Sequence, residues 1–421
     1  MSTNFSRLPR GVWVLCLGTF VNRAGAFVVL FMTIYLTEEL HLTAQTATTA
    51  VGLFGVGSLV AMLCGGQLAD QWGRKNTMLL SLIASGLIIL WMSTLREPAF
   101  FLGAIFLFSL FSDLYRPASS ALIGDLCDTE TRPLAFSLIY VAANLGFSVA
   151  PPLGGWLAAH SFQLLYYVDT VTTLSYAVLI FLLIADPPRL RVPGDHRWGE
   201  QIQAYRRIVR DGPFLLICLA TMLGSGVYLQ SMSTLPLYMR EIGYSKAEYG
   251  TLIAINGVQI VLLQIPLTKF FGRYRPLANV SVASLLIGIG FAILPLGTGV
   301  MLIISSIVIW TFGEILQAAF LQAVVAKLAP VDLRGRYMGV FGLSFALSLA
   351  LGAPIGGYVM DHFGPNVLWL GCLGICTVSA AIYWQVDRSG ATDRIADGVG
   401  QTTAEEDVEA SSCDAYELTS A

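Results

Sequence analysis

Apolar residues in this chain come in long runs, not in the alternating or three-and-four spacing of a half-buried element. The runs lie at 12–36, 47–69, 76–95, 99–123, 134–158, 165–185, 213–239, 248–270, 277–297, 299–325, 337–360 and 366–386. Each reaches the roughly 20 residues that a helix needs to cross a bilayer. The polar breaks between them are short, so consecutive helices are antiparallel neighbours. The pattern predicts an all-α integral membrane protein with about twelve transmembrane helices.

The longest connection, 186–212, follows the sixth helix and divides the chain into helical halves at 1–185 and 213–388, with a tail at 389–421. Trp198, Ile202, Tyr205 and Ile208 fall near one helical face of that connection, among Arg197, Arg206, Arg207 and Arg210. This predicts a basic amphipathic helix on the membrane surface, with an unstructured basic linker as the alternative. The tail carries Glu405, Glu406, Asp407 and Glu409 and is expected to be disordered.

Charge sets an orientation. Arg7, Arg10, Arg74, Lys75, Arg132, the arginines of the central connection and most later basic residues share one side of the predicted topology. Only Arg96, Arg240 and Lys246 fall on the other. The positive-inside rule places both termini in the cytoplasm, which agrees with an even helix count. The first run is too long for a signal-peptide core and no small-residue cleavage site follows it, so it is expected to remain as a helix.

Composition narrows the class. The chain is 55% hydrophobic and 12% charged, with mean hydropathy +0.69, whereas a soluble globule carries about 25% charge. Almost no room is left for a soluble domain. No basic patch lies outside the loops, so nucleic acid is not an expected partner. The seven cysteines show no paired Cys or Cys/His spacing and read as small core residues, with no metal site. His41, His160, His196 and His362 are scattered in loops. No His-Glu-x-x-His, Gly-x-Ser-x-Gly or phosphate-binding loop occurs, so neither an enzyme nor an ATP-driven pump is expected.

The halves repeat weakly. A shift of 202 residues lays Arg132 on Arg334, Pro152 on Pro354, Gly154 on Gly356 and Gly155 on Gly357. A shift of 199 lays Gly73 on Gly272 and Arg74 on Arg273, while Asp70 falls on Lys269.

Residues 65–75 read Gly-Gly-Gln-Leu-Ala-Asp-Gln-Trp-Gly-Arg-Lys. Gly66 and Gly73 permit close helix approach and a tight turn, and Asp70 is a carboxylate able to cap a helix N-terminus. The stretch resembles the signature loop between helices 2 and 3 of the major facilitator superfamily, the twelve-helix secondary transporters. Residues Gly146 to Gly155, with Ala150, Pro151 and Gly154, resemble the Gly-x-x-x-Gly-Pro-x-x-Gly-Gly motif of the antiporters in that superfamily; Ala150 replaces the second glycine. Proline removes a backbone donor and bends a helix, and small residues let helices slide close. Residues 21–25 and 31–36 are similar to the drug:proton antiporter branch.

The resemblance implies two pseudo-symmetric six-helix bundles that work by alternating access, as a monomer. It implies that Asp70 meets the start of helix 11 and that Arg74 pairs with an acid at the cytoplasmic end of helix 4, here Asp125, closing the cytoplasmic side. It also implies a central cavity lined by helices 1, 4, 7 and 10.

The charges inside predicted helices fall on that set. Arg23 lies in helix 1, Asp113 and Arg116 in helix 4 and Glu314 in helix 10. Each costs about 2.5–3.5 kcal/mol at a helix centre on the insertion scale, so each needs compensation. Asp113 and Arg116 share a face and can neutralise each other. Glu314 has no cation within a turn, and such a carboxylate binds a proton readily. It is the first candidate proton carrier and Asp113 the second. Arg23 suits a substrate anion, or pairs with Asp113 or Glu314. Asn22, Tyr228, Gln230 and Ser231 can add hydrogen bonds to an apolar pocket. Asp169 reads as an interfacial acid near the outer end of helix 6. Helix 4 departs from the family pattern, because Pro117 and Ser120 follow Arg116.

These readings converge on a proton-coupled antiporter of the cell inner membrane that exports small amphipathic organic compounds. Its partners are substrate, protons and lipid. It needs no cofactor and is driven by the proton gradient. The alternative is a transporter of one metabolite, such as a sugar, amino acid, peptide or siderophore.

Overall fold

A computed structural model describes residues 7–128, 131–185, 206–330 and 333–390, without the side chains at 70, 133, 334 and 335. Among the described residues, twelve helices are long and apolar enough to cross a membrane. They are α1 (Arg10–Glu38), α2 (Ala44–Ala69), α3 (Arg74–Met92), α4 (Pro98–Leu126), α5 (Leu134–His160) and α6 (Phe162–Leu183), then α7 (Gly212–Ser233), α8 (Lys246–Phe271), α9 (Pro276–Leu296), α10 (Val300–Leu328), α11 (Arg336–Phe363) and α12 (Pro365–Arg388). The linker helix and tail expected from the sequence lie almost wholly outside the described residues; 206–210 are helical.

Local chemistry sets the helix ends. The Thr43 hydroxyl accepts from the amide of Thr46 at the start of α2. Ser245 and Glu248 form a reciprocal capping box on α8. Proline occupies the first turn of α4, α9 and α12, where its missing N–H has no acceptor to lose. The helix that begins α2 continues to Trp72, and Gly73 alone then joins it to α3 at φ +96°, a conformation that glycine adopts without strain.

The interruptions fall where the sequence did not place them. The helix 132–160 continues without a break through Pro151 and Pro152. Instead α1 breaks at Gly25–Ala26, between Arg10–Ala24 and Phe27–Glu38. Likewise α4 breaks at Leu114, one turn before Pro117, whose missing N–H leaves the Asp113 carbonyl without its helical donor. A third break, in α7, lies at Leu229, nearly 202 residues after the break in α1.

The two halves meet through α2 against α11 and α5 against α8. Buried apolar residues form three clusters. One runs through both halves and includes Phe31, Tyr35, Tyr249 and Trp369. The other two are confined to one half each, around Val12 and Leu122, and around Phe214 and Val325. The shared cluster lies toward the end of α1 that carries Glu38 and the short helix Leu235–Glu241, after α7, that carries Arg240. The separate clusters lie toward the arginine-rich ends that carry Arg74 and Arg275. The halves are therefore packed together at one face, called here the acidic-gate face, and apart at the other, the basic face.

Candidate functional site: a cavity between the halves

The gap between the halves holds a cavity of about 530 Å³, lined by Arg23, Tyr115, Arg116, Tyr140, Tyr228, Asn256 and Glu314, among others. Ser120 and Ile123 near the end of α4 and Phe136 near the start of α5 also line it, so it opens toward the basic face. A second chamber of about 280 Å³ shares Arg23, Arg116 and Phe147 with it. This chamber reaches deeper, among Val51, Phe54, Ile89 and Phe108, and includes Asp113 and Asp169. Both chambers mix apolar walls with a few charged and polar groups.

Glu314 stands on the wall contributed by the second half. Its Oε1 accepts the Tyr228 hydroxyl at 2.8 Å and its Oε2 accepts the Asn256 amide at 2.6 Å. Asn256 also donates to Thr311 at 3.1 Å. Both donors to the carboxylate are neutral, and among the described residues Glu314 forms no ion pair. A charged carboxylate here is held by two neutral hydrogen-bond donors, and a protonated one needs no counter-ion.

Asp113 on α4 is its near-equivalent in the first half, and its surroundings are different. It is 5% exposed. The Ser58 hydroxyl of α2 donates to its Oδ2, as Asn256 of α8 does to Glu314. Arg116 Nε lies 3.1 Å from Asp113 Oδ1, one turn along the same helix. The Asp113–Arg116 neutralisation expected from their spacing is therefore formed. Arg116 is 60% exposed at its side chain and reaches into the cavity.

Arg23 makes no ion pair with Asp113 or Glu314 among the described residues. It lies near the end of the inner half of α1, beside the break, and lines both chambers. Asn22 turns away from the large cavity, donating to the Thr173 hydroxyl at 2.9 Å. Tyr228 lines the cavity, but Gln230 does not. The Gln230 amide donates to the carbonyls of Gly226 and Gly352, and its oxygen accepts from Ser233 and Thr234. Gln230 thus ties the break in α7 to α11. Asp169 is not interfacial: it is 4% exposed and its Oδ2 accepts the Val28 amide at 3.1 Å, where α1 resumes. Asn256 and Asp169 were missed because each acquires its role from a helix distant in sequence. Asn256, between Ile255 and Gly257 in an apolar run, was the one signal available.

The loop motif has a defined geometry at the basic face. Arg74 Nε lies 3.2 Å from Asp125 Oδ2, at the end of α4, and the Lys75 ammonium donates to the Phe181 carbonyl at 3.0 Å. Gly66 has no atom near its Cβ position. The Asp70 side chain lies outside the described residues. In the helix 5 motif, Gly146 and Gly154 face α1, against Arg23 and Phe31. Gly155 faces the other half: a Cβ there would lie 2.6 Å from the Lys246 carbonyl of α8.

The acidic-gate face is shut by polar contacts between the halves. Glu38 Oε1 accepts Arg240 Nε at 2.5 Å and its Oε2 lies 2.8 Å from Lys246 Nζ. Asp361 Oδ2 accepts the Gln45 backbone N–H at 2.7 Å, in the first turn of α2. Phe31 and Tyr249 meet edge to face, 5.5 Å apart.

A family model described as the Major Facilitator Superfamily matches residues 15–353 and 316–405. A Na(+), Li(+), K(+)/H(+) antiporter of Planococcus maritimus is 26% identical over 378 residues, 82% of this chain and 88% of that protein. Multidrug resistance protein MdtH of Shigella sonnei (strain Ss046) is 25% identical over 397 residues, 91% of this chain and 96% of that protein. In fold, the chain is similar to a POT family transporter solved in complex with 5-aminolevulinic acid (TM-score 0.76, 19% identity, covering 92% and 97% of the two chains). Twelve spans in two repeated halves around one cavity, with these matches along the chain, lead to one assignment: the protein belongs to the Major Facilitator Superfamily and is a membrane transporter, not an enzyme.

Proposed function

We propose that the protein is a proton-coupled antiporter that exports small amphipathic organic compounds from the cytoplasm across the cell inner membrane. The observation that carries this reading is Glu314, a carboxylate lining the cavity whose hydrogen-bond donors among the described residues are the neutral Tyr228 and Asn256. Such a group exchanges a proton with cavity water without breaking an ion pair. A cationic substrate beside it favours its charged form, so substrate binding expels the proton. The deeper chamber around Phe54 and Phe108 offers apolar surface to the rest of the substrate. On this reading the basic face is cytoplasmic, one chain suffices, and the force is the proton gradient with no cofactor. The relatives named as antiporter and multidrug resistance protein support it.

Glu38, Arg240 and Lys246 then form the outer gate, and Arg74 with Asp125 belongs to the inner one. On the same reading this state is inward-facing, ready to load substrate from the cytoplasm. Proton release on adding lipophilic cations to reconstituted protein, lost in Glu314→Gln, tests the assignment.

One observation favours a second reading. Arg23 forms no ion pair among the described residues and stands across the same cavity from Glu314. A zwitterionic metabolite would satisfy both. Counterflow with amino acids and short peptides, set beside lipophilic cations, separates the two.

A further inference from the structure

The break in the first helix creates an N-terminus inside the membrane. The segment Phe27–Glu38 starts there, and its first amides have no helical acceptor. Asp169 of α6 supplies one: its Oδ2 accepts the Val28 N–H at 3.1 Å. Its Oδ1 accepts the Thr173 hydroxyl at 3.4 Å, and that hydroxyl accepts from Asn22, in the last turn before the break. One buried carboxylate thus links both sides of the break.

Asp169 forms no ion pair among the described residues, and it lines the deeper chamber. The ionisable groups that share this chamber with it are Arg23 of α1 and Asp113, Tyr115 and Arg116 of α4. Tyr166 lies one turn away on its own helix. The residues that α2, α3, α5, α7 and α11 bring to the chamber carry no ionisable side chain.

The segment that Asp169 caps has a second fixed end. It has 12 residues and finishes at Glu38, which holds Arg240 and Lys246 of the other half. A helix of that length is a rigid rod of about 18 Å. One end of the rod touches the chamber and the other is the outer gate.

We propose that Asp169 is a second proton-carrying carboxylate, which couples the chamber to the outer gate through the Phe27–Glu38 segment. The proposal rests on the proton-coupled reading and goes beyond it. A proton from chamber water and the Val28 amide compete for the same carboxylate. The charged form caps the segment and favours the closed outer gate. The neutral form caps it weakly, so the carboxylate takes up a proton while the outer gate is open to the outside and releases it toward the cytoplasm when the gate closes. Protons then run inward as the gate cycles.

The test uses full-length protein in nanodiscs. Spin labels are placed on Thr94→Cys and Thr298→Cys, exposed at the outer ends of the two halves, in a background with the native cysteines replaced. The distance between them is measured at mildly alkaline and mildly acidic pH. The proposal expects a longer-distance population to grow on acidification. In Asp169→Asn, which keeps an oxygen to accept from Val28, the open fraction should be about tenfold higher at alkaline pH and should not respond to acid. Glu314→Gln should lose substrate-driven proton release and keep the gate response. A gate response in Asp169→Asn equal to that of the parent overturns the proposal, as does loss of the response in Glu314→Gln alone. If no substrate releases protons, yet the response persists and depends on Asp169, then the antiport reading fails and the gate proposal stands.

Discussion

Glu38 and Arg240 are 202 residues apart, the repeat distance of the two halves, and their side chains meet at 2.5 Å. Equivalent positions of a two-fold-related pair can touch only near the axis between them. The sequence has placed opposite charges at those two positions, and Lys246 adds a second cation to the same carboxylate. Both groups are about a third exposed or less, so the contact is worth on the order of 1 kcal/mol, not a large fraction of the fold's stability. That magnitude suits a gate, which has to open in every cycle.

Breaking this contact should change the balance of states more than the fold. Glu38→Gln is expected to shift the outer gate toward open by about fivefold, a change near 1 kcal/mol, with little effect on melting temperature. The double swap Glu38→Arg with Arg240→Glu should recover only part of the contact, because Lys246 then faces an arginine. Label distances across the outer face check both.

Small residues at the half-to-half contacts should be intolerant of added bulk. Gly155 and Gly357 are repeat equivalents, and each packs on the opposite half: Gly155 on Lys246 and Ala247 of α8, Gly357 on Thr48 of α2. Substitution of either by leucine should prevent the outer gate from closing and reduce transport at least tenfold, a cost of about 1–3 kcal/mol for overpacking. Gly103→Ala, with no atom within 4 Å of the new Cβ, is the control and should transport normally.

The two halves of the Asp113–Arg116 pair should not be equivalent. Asp113 is buried while the Arg116 side chain is 60% exposed. Arg116→Gln leaves a buried carboxylate with Ser58 alone, whereas Asp113→Asn leaves a cation in cavity water. The first substitution should lower stability by about 1 kcal/mol and the second by less. Thermal unfolding in detergent at neutral pH measures the difference.

Asn256 should matter more to coupling than Tyr228. It is 2% exposed and bridges Glu314 to Thr311. Asn256→Leu is expected to lower transport more than tenfold, by about 1.5–3 kcal/mol for a hydrogen bond to a charged group. Tyr228→Phe removes one donor and leaves the other in place, so a loss of a few-fold is expected. Initial rates in proteoliposomes distinguish them.

The parts of this architecture that depend on neighbours in sequence were readable from it. Twelve long apolar runs became twelve spans, and the three-residue spacing of Asp113 and Arg116 became an ion pair. The paired glycines at 154–155 and 356–357 were visible by superposing the repeats. Groups whose partners lie on other helices were not readable in the same way. Asp169 sits early in its helix and reads as interfacial, until the break at Gly25 brings an uncapped helix start to it. That break is itself hidden, because apolar residues flank it on the outer side and glycine in a membrane helix signals close packing as often as interruption. Gln230 shows the converse. A polar residue on a cavity helix looks like a binding group, but its amide is consumed by backbone carbonyls on α7 and α11. Composition reports that a polar group needs a partner, and only the packing says which.

The central claim is that Glu314 exchanges its proton for substrate. The most direct measurement is proton release from reconstituted protein on addition of a panel of lipophilic cations, with wild type and Glu314→Gln side by side. The account predicts release by wild type with at least one cation and none by the variant, although the variant still binds that cation. Release of equal size from Glu314→Gln would contradict it.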